Sequence, residues 1–333
     1  EGALGPSPRA MEAYRQAAAE LHRYPDGGST ALRDGLARLY GLDVSRIVCG
    51  TGSDELLGLL TRAYAGPGDE VLYSAHGFLM YPISAKSVGA TPVAAPEKGL
   101  KADVDALLAH VTERTKILFI ANPNNPTGSF LTADEMRRLH AGLPGHVVLV
   151  IDAAYAEYVD RPDYTAGSEL VEEFGNVVMT RTFSKIYALG GLRLGWAYCP
   201  PAIADVLNRV RGPFNVNSAA QIAGVAAVED TAFIEESRRH NEIWRDWLSA
   251  RLTELGLEVH PSIANFVLVS FANRSSDGNQ AAEAARQFLK ARGILVRQMG
   301  GYGLPHCLRM SIGTEEEMRA VVDAVAAFLR GEA

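Results

Sequence analysis

Seven short β-rich runs mark the first two-thirds of the chain, and their spacing limits what it can fold into. They are RIVCG (46–50), EVLYS (70–74), TPVAA (91–95), KILFIAN (116–122), VVLVID (147–152), NVVMTRT (176–182) and GWAYCP (195–200). Several are almost wholly apolar, as expected of strands whose two faces are both covered by helices. Segments of helical period lie between most of them, such as SDELLGLLTRAYA (53–65) and TADEMRRLHAGL (132–143). The first opens on Ser53 and carries leucines at 56, 57, 59 and 60. Such alternation predicts a mostly parallel, doubly wound α/β sheet.

From about residue 216 the pattern changes. A long helical stretch (218–256, broken near Thr231) carries no strand signal. ANFVLVSF (264–271), an amphipathic helix around 279–292, GILVRQ (293–298), CLRMSIG (307–313) and a closing helix (314–330) follow it. This is the pattern of a smaller α+β C-terminal domain. The expected division is an N-terminal segment 1–25 packing with the small domain, a large domain 26–217 and a small domain 218–333. A length of 333 residues suits two cores.

Composition acts mainly by exclusion. A net charge of −7 gives no bulk attraction to nucleic acid or to an anionic membrane. No apolar run approaches the roughly 20 residues of a membrane span. No secretory signal is read, and the start at Glu1 without methionine leads to the expectation that native residues precede it. Cys49, Cys199 and Cys307 are too scattered for a disulfide framework or zinc site and suit small buried hydrophobes in a reducing cytoplasm. The eight histidines show no metal-ligand spacing; His76 and His306 fall beside motifs and stay open.

In open α/β sheets ligands bind beyond the carboxyl ends of the strands, so the residues after each run carry most of the functional information. After RIVCG comes GTGSDE (50–55), a glycine turn entering a helix. Free N–H groups there can hold a phosphate at Gly52, Ser53 and Asp54, although Ser53 taken alone reads first as a helix cap. The dinucleotide fingerprint fails at Glu55, and no P-loop pattern occurs. After EVLYS, AHGFLMYP (75–82) brings Phe78 near the crevice, as a stacking ring or as a core aromatic. NPNNPTG (122–128) is a sharp turn that offers asparagine amides. Asp152 ends an apolar strand, where a carboxylate is costly unless a cation or a protonated ring nitrogen meets it; a helix cap is the other reading. Tyr155 lies within reach of the same ligand.

RTFSKIYALGGLRLGW (181–196) supplies the last part. Lys185 sits at a strand end among apolar residues, where partial desolvation turns an amine into a nucleophile for a carbonyl. Thr182 and Ser184 add hydroxyls, and Gly190-Gly191 lets the chain turn back so that Arg193 meets the same phosphate. A phosphate cradle, a stacking ring, an acid and a nucleophilic amine together describe one ligand, pyridoxal phosphate.

RYPDGG (23–28), GTGSDE, NPNNPTG, DAAYAEY, RTFSKIYALGGLRLGW and GYGLPHCLRMSIGT (301–314) together resemble the fold-type I aminotransferases of classes I and II, nearest the histidinol-phosphate aminotransferase branch. The resemblance spans nearly the whole chain and implies an aspartate-aminotransferase-like fold. It makes Lys185 the Schiff-base lysine and Asp152 the ring-nitrogen partner, with Tyr155 and Asn125 on the phenolic oxygen and Phe78 stacked on the ring. Gly52, Ser53, Asp54, Thr182, Ser184 and Arg193 hold the phosphate in this reading. It also implies a cis peptide before Pro126, and a Tyr24 that reaches the neighbouring subunit's cofactor, hence a homodimer with shared sites.

Period-two alternation in CLRMSIG puts Arg309 and Ser311 on one face, and the resemblance makes Arg309 the substrate's acid anchor with Arg297 close by. A guanidinium fork suits both carboxylate and phosphate. The implied reaction passes an amino group between histidinol phosphate and 2-oxoglutarate or glutamate in histidine biosynthesis. A phenylalanine or tyrosine aminotransferase and a phosphothreonine-type decarboxylase are the alternatives in the same fold. Three positions depart from the pattern: Gly2 and Ala3 replace an asparagine and a proline near the start, and Ala153 replaces a glutamate.

Overall fold

The computed structural model describes residues 2–274 and 278–332; Glu1, with which EGALGPSP begins, lies outside them. All seven runs form strands: β1 (Ile47–Gly50), β2 (Glu70–Ser74), β3 (Thr91–Ala95), β6 (Thr115–Ala121), β7 (Val148–Asp152), β8 (Val177–Thr182) and β9 (Gly195–Tyr198). A short hairpin of β4 (Glu97–Lys98) and β5 (Lys101–Ala102) intervenes. The seven strands lie in the order β1-β9-β8-β7-β6-β2-β3. Only β9 runs against its neighbours, pairing antiparallel with β1 and β8.

The side-chain alternation explains the apolar runs. Leu118 and Ile120 of β6, Leu149 and Ile151 of β7, and Val177 and Met179 of β8 enter one core. Ile117 and Phe119, Val148 and Val150, and Val178 enter the other. Each strand is buried on both faces, so its polar residues are confined towards its ends. β3, with its Pro92, forms the outer edge next to β2, where a missing N–H is tolerated.

The second sheet is antiparallel in the order β10-β11-β13-β12, from β10 (Glu258–His260), β11 (Phe266–Ser270), β12 (Arg297–Gln298) and β13 (Cys307–Ser311). Gly278–Ala291 and Glu315–Leu329 pack with it around Val267, Val269, Leu308 and Met310. In GILVRQ the strand is confined to Arg297–Gln298. Gly293 takes φ +77°, and Leu295 is 81% exposed, so residues 293–296 run along a groove instead of joining the sheet.

The long helical stretch breaks as expected, into Ser218–Glu229 and Thr231–Glu254. The first helix buries Ala220, Ala223 and Ala227 in the core of the large sheet, and Pro8–Ala17 packs against it through the same core at Ala10. The N-terminal helix thus lies on the large-sheet side, because the small residues of 218–229 admit it there. Leu248 and Leu252 of the second helix face the small sheet's core. The same helix still touches the large-sheet core at Ile234, so it spans both cores. Gly2, Ala3 and Leu4 line a small pocket with Asn265 and Ile312, beside the strands of the small sheet.

Candidate active site

A cleft opens at the carboxyl ends of β6, β7 and β8. Ser53, Asp54, Phe78, Asn125, Asp152, Tyr155, Thr182, Ser184, Lys185 and Arg193 all line it. Residues from across about 140 positions of sequence thus meet because parallel strands deliver their ends to one edge.

Asp152 is 5% exposed and has no ion-pair partner among the described residues. Its carboxylate accepts hydrogen bonds from Tyr81 Oη (2.9 Å) and Thr180 Oγ1 (3.4 Å). Burial pushes its pKa up from 3.8 to about 6, the charge of Asp54 adds to the rise, and the two hydroxyls and Lys185 oppose it. Asp152 caps no helix: the next helical turn, Ala156–Tyr158, begins behind Tyr155. A buried carboxylate held by two hydroxyls lacks the cationic partner that its position asks for.

The turn into helix Ser53–Tyr64 decides the second ambiguity. Helices 133–141 and 315–329 open with threonine–glutamate capping boxes, whereas this one opens behind Gly52 with no side-chain cap. Ser53 is its first residue, so its hydroxyl caps nothing and the first N–H groups stay free for an anion. Gly52 has φ +80°, and a Cβ there would lie 2.6 Å from Arg193 Nη2. Arg193 reaches across to Asp54 Oδ2 at 3.3 Å and Ser184 Oγ at 3.5 Å, so a cation stands at the helix start. Thr182 accepts from the N–H of Ser184 and fixes the bend between them.

Lys185 follows β8, its Nζ 5.4 Å from the centre of the Tyr155 ring. No carboxylate pairs with it among the described residues. Both Asn-Pro peptides of the 122–128 turn are cis, including the one expected before Pro126. The three asparagines then separate by role. Asn122 bonds Leu131 and Thr165, and Asn124 bonds His76 O and Thr127. Asn125 alone faces the cleft, where its Oδ1 accepts from Arg309 Nη1.

Arg309 and Arg297 stand directly opposite each other on β13 and β12. Like charges in that register repel, and neither has a carboxylate partner among the described residues. Burial, with Arg297 adding to it, lowers the pKa of Arg309, whose Nε is buried without a hydrogen-bond partner. A groove lined by Arg297, Arg309, Gly2 and Ala3 joins the cleft at Lys185.

Tyr24 lies outside the cleft of its own chain, 84% exposed and stacked on Phe214. His76 clamps the turn before Phe78 by bonding Glu97 through both its backbone N–H and its ring. Tyr81 is the functional neighbour that the sequence reading missed. It stands three residues after Phe78, their rings 5.9 Å apart, and that helical spacing in AHGFLMYP was the available signal. Phe78 lines the cleft and also packs against this core.

The donor set fits pyridoxal phosphate: a carboxylate without a cation, a free amine, and an uncapped helix start faced by an arginine. The chain belongs to the family aminotransferase class I and II, whose model matches residues 1–325. It is 65% identical over 331 residues to the histidinol-phosphate aminotransferase of Rhodospirillum centenum, covering 99% of this chain and 90% of that one. The crystal structure of histidinol-phosphate aminotransferase from Sinorhizobium meliloti in complex with pyridoxal-5'-phosphate superposes with a TM-score of 0.93 at 30% identity, covering 99% of this chain and 89% of that one. An aspartate aminotransferase of Thermus thermophilus, a tetra mutant, gives 0.86 at 25% identity over 98% and 94% of the two chains. The fold is therefore aspartate-aminotransferase-like.

Proposed function

We propose that the protein is a pyridoxal-phosphate-dependent aminotransferase that moves an amino group between histidinol phosphate and 2-oxoglutarate, in histidine biosynthesis. The observation that carries this reading is the meeting of Lys185, Asp152 and the uncapped start of helix 53–64 in one cleft, beside two arginines without acidic partners. Pyridoxal phosphate, when bound, supplies an electron sink for a carbanion and a carrier for the amino group. Lys185 anchors it and then serves as base and acid at Nζ. Asp152 holds a proton on the ring nitrogen, and in doing so gains the cation that its burial calls for. Asn125 and Tyr155 take the phenolic oxygen, and Phe78 covers the ring. The helix start with Gly52, Ser53, Asp54, Thr182, Ser184 and Arg193 takes the phosphate.

Arg297 and Arg309 bind the acidic end of the substrate. A dianion relieves their mutual repulsion, which suits both a phosphate ester and a dicarboxylate. The exposure of Tyr24 supports its use by a neighbouring subunit in a homodimer. We place the boundary of the smaller unit within helix Thr231–Glu254, beyond Ile234, with the large sheet and helices 8–17 and 218–229 as the cofactor-holding unit. The absence, among the described residues, of a helix long and apolar enough to cross a membrane accords with work in the cytoplasm.

The test is a half-reaction panel in which the bound cofactor's visible band is followed on adding histidinol phosphate, phenylalanine, tyrosine, glutamate or phosphothreonine. Histidinol phosphate and glutamate should bleach it. Conversion by phenylalanine with none by histidinol phosphate would make the enzyme an aromatic aminotransferase.

A further inference from the structure

The Tyr81 side chain is 1% exposed and stacks on Phe119 of β6, ring centres 4.8 Å apart and planes within 7°. Phe78 and Tyr73 meet its ring edge-on. These contacts leave the hydroxyl one direction, towards the end of β7, where it donates to Asp152 Oδ2 at 2.9 Å. Thr180 of β8 reaches Oδ1 at the longer distance of 3.4 Å. The carboxylate is thus gripped from two sides, and Tyr81 supplies the shorter contact.

We propose that Tyr81 is a positioning residue for the reaction: it orients the Asp152 carboxylate towards the cofactor's ring N–H. This rests on the reading of Asp152 as partner of the ring nitrogen. The hydroxyl acts in two ways. It fixes the plane of the carboxylate, so that the remaining lone pairs face the cleft. It also stabilises the ionised form against burial and against Asp54 on the helix opposite, alongside Thr180 and Lys185. Tyr155, on the segment that follows β7, and Arg193 are the other titratable groups that line the cleft.

A purely structural tyrosine would serve every ligand alike, whereas a positioning one matters only to a ligand with a ring nitrogen. The experiment uses the full chain, stripped of cofactor and titrated with pyridoxal phosphate or with its 1-deaza analogue, which has carbon at that position. Tyr81→Phe keeps the ring and its stack on Phe119 and removes one hydrogen bond to a charged group. Its dissociation constant for pyridoxal phosphate should rise about tenfold, while that for the deaza analogue stays within about twofold of wild type. Equal losses for both ligands, or no loss for either, would overturn the proposal. Binding of the analogue also reports that the variant is folded. Asp152→Asn is run in parallel. If it discriminates between the ligands and Tyr81→Phe does not, the role of Tyr81 alone falls. If neither does, the assignment of Asp152 falls with it.

Discussion

Replacing Asp152 with asparagine should stabilise the cofactor-free protein while weakening its hold on the cofactor. In the folded chain, burial moves this carboxyl from 3.8 to about 6. Below pH 3.8 the group is protonated whether the chain is folded or not, and it contributes its full stability. As pH rises through 6 the folded chain must ionise a buried acid that the unfolded chain has already ionised, and that stability is lost. A displacement of about two pH units, at about 1.4 kcal/mol each, is worth about 3 kcal/mol in total, of which about 2 kcal/mol falls between pH 4.5 and 8. The asparagine side chain never ionises, so the variant escapes this loss. Urea unfolding of both proteins without cofactor, followed by tryptophan fluorescence from pH 4.5 to 8, should show their stability difference growing by about 2 kcal/mol in favour of the variant. With pyridoxal phosphate the ranking should reverse, because only the aspartate gains a cationic partner. A stability difference that does not change with pH would refute the reasoning, since it would mean that Asp152 ionises as readily folded as unfolded.

Other variants probe the remaining parts of the site. Gly52→Ala forces a side chain to φ +80° and sets its Cβ 2.6 Å from Arg193 Nη2, so affinity for pyridoxal phosphate should fall at least about tenfold. Affinity for pyridoxal without its phosphate, measured by the same absorbance titration, should hardly change. Arg309→Lys keeps a charge but loses the planar fork that reaches Asn125. Steady-state kinetics should give KM for the amino donor raised on the order of tenfold, with a smaller change in kcat.

Much of this site was legible because burial on both faces writes itself into the strands. VVLVID leaves its first polar group, Asp152, at the carboxyl end, and the apolar centre of NVVMTRT gives way to Thr180, Arg181 and Thr182 at the same edge. What stayed hidden depends on contacts between distant segments. Nothing in NPNNPTG says which asparagine faces the cleft, since Asn122 and Asn124 are turned inward by Leu131, Thr165 and His76. Tyr81 reads as a core aromatic, and its ring is one; only the adjacency of β6 and β7 brings its hydroxyl to Asp152. The helix 218–229 is alanine-rich and weakly sided, so its sequence does not announce which core it joins. Residues 293–296 have the apolar character of a strand, yet the pairing with β13 stops at Arg297 and Gln298.

The central claim is that the amine following β8 carries the cofactor in this cleft. Borohydride reduction of the loaded protein, followed by proteolysis and mass mapping of peptides, tests it most directly. The account predicts one modified peptide, with the pyridoxyl phosphate mass on Lys185, and none in Lys185→Ala. A label on any other lysine, or no covalent label at all, would contradict it.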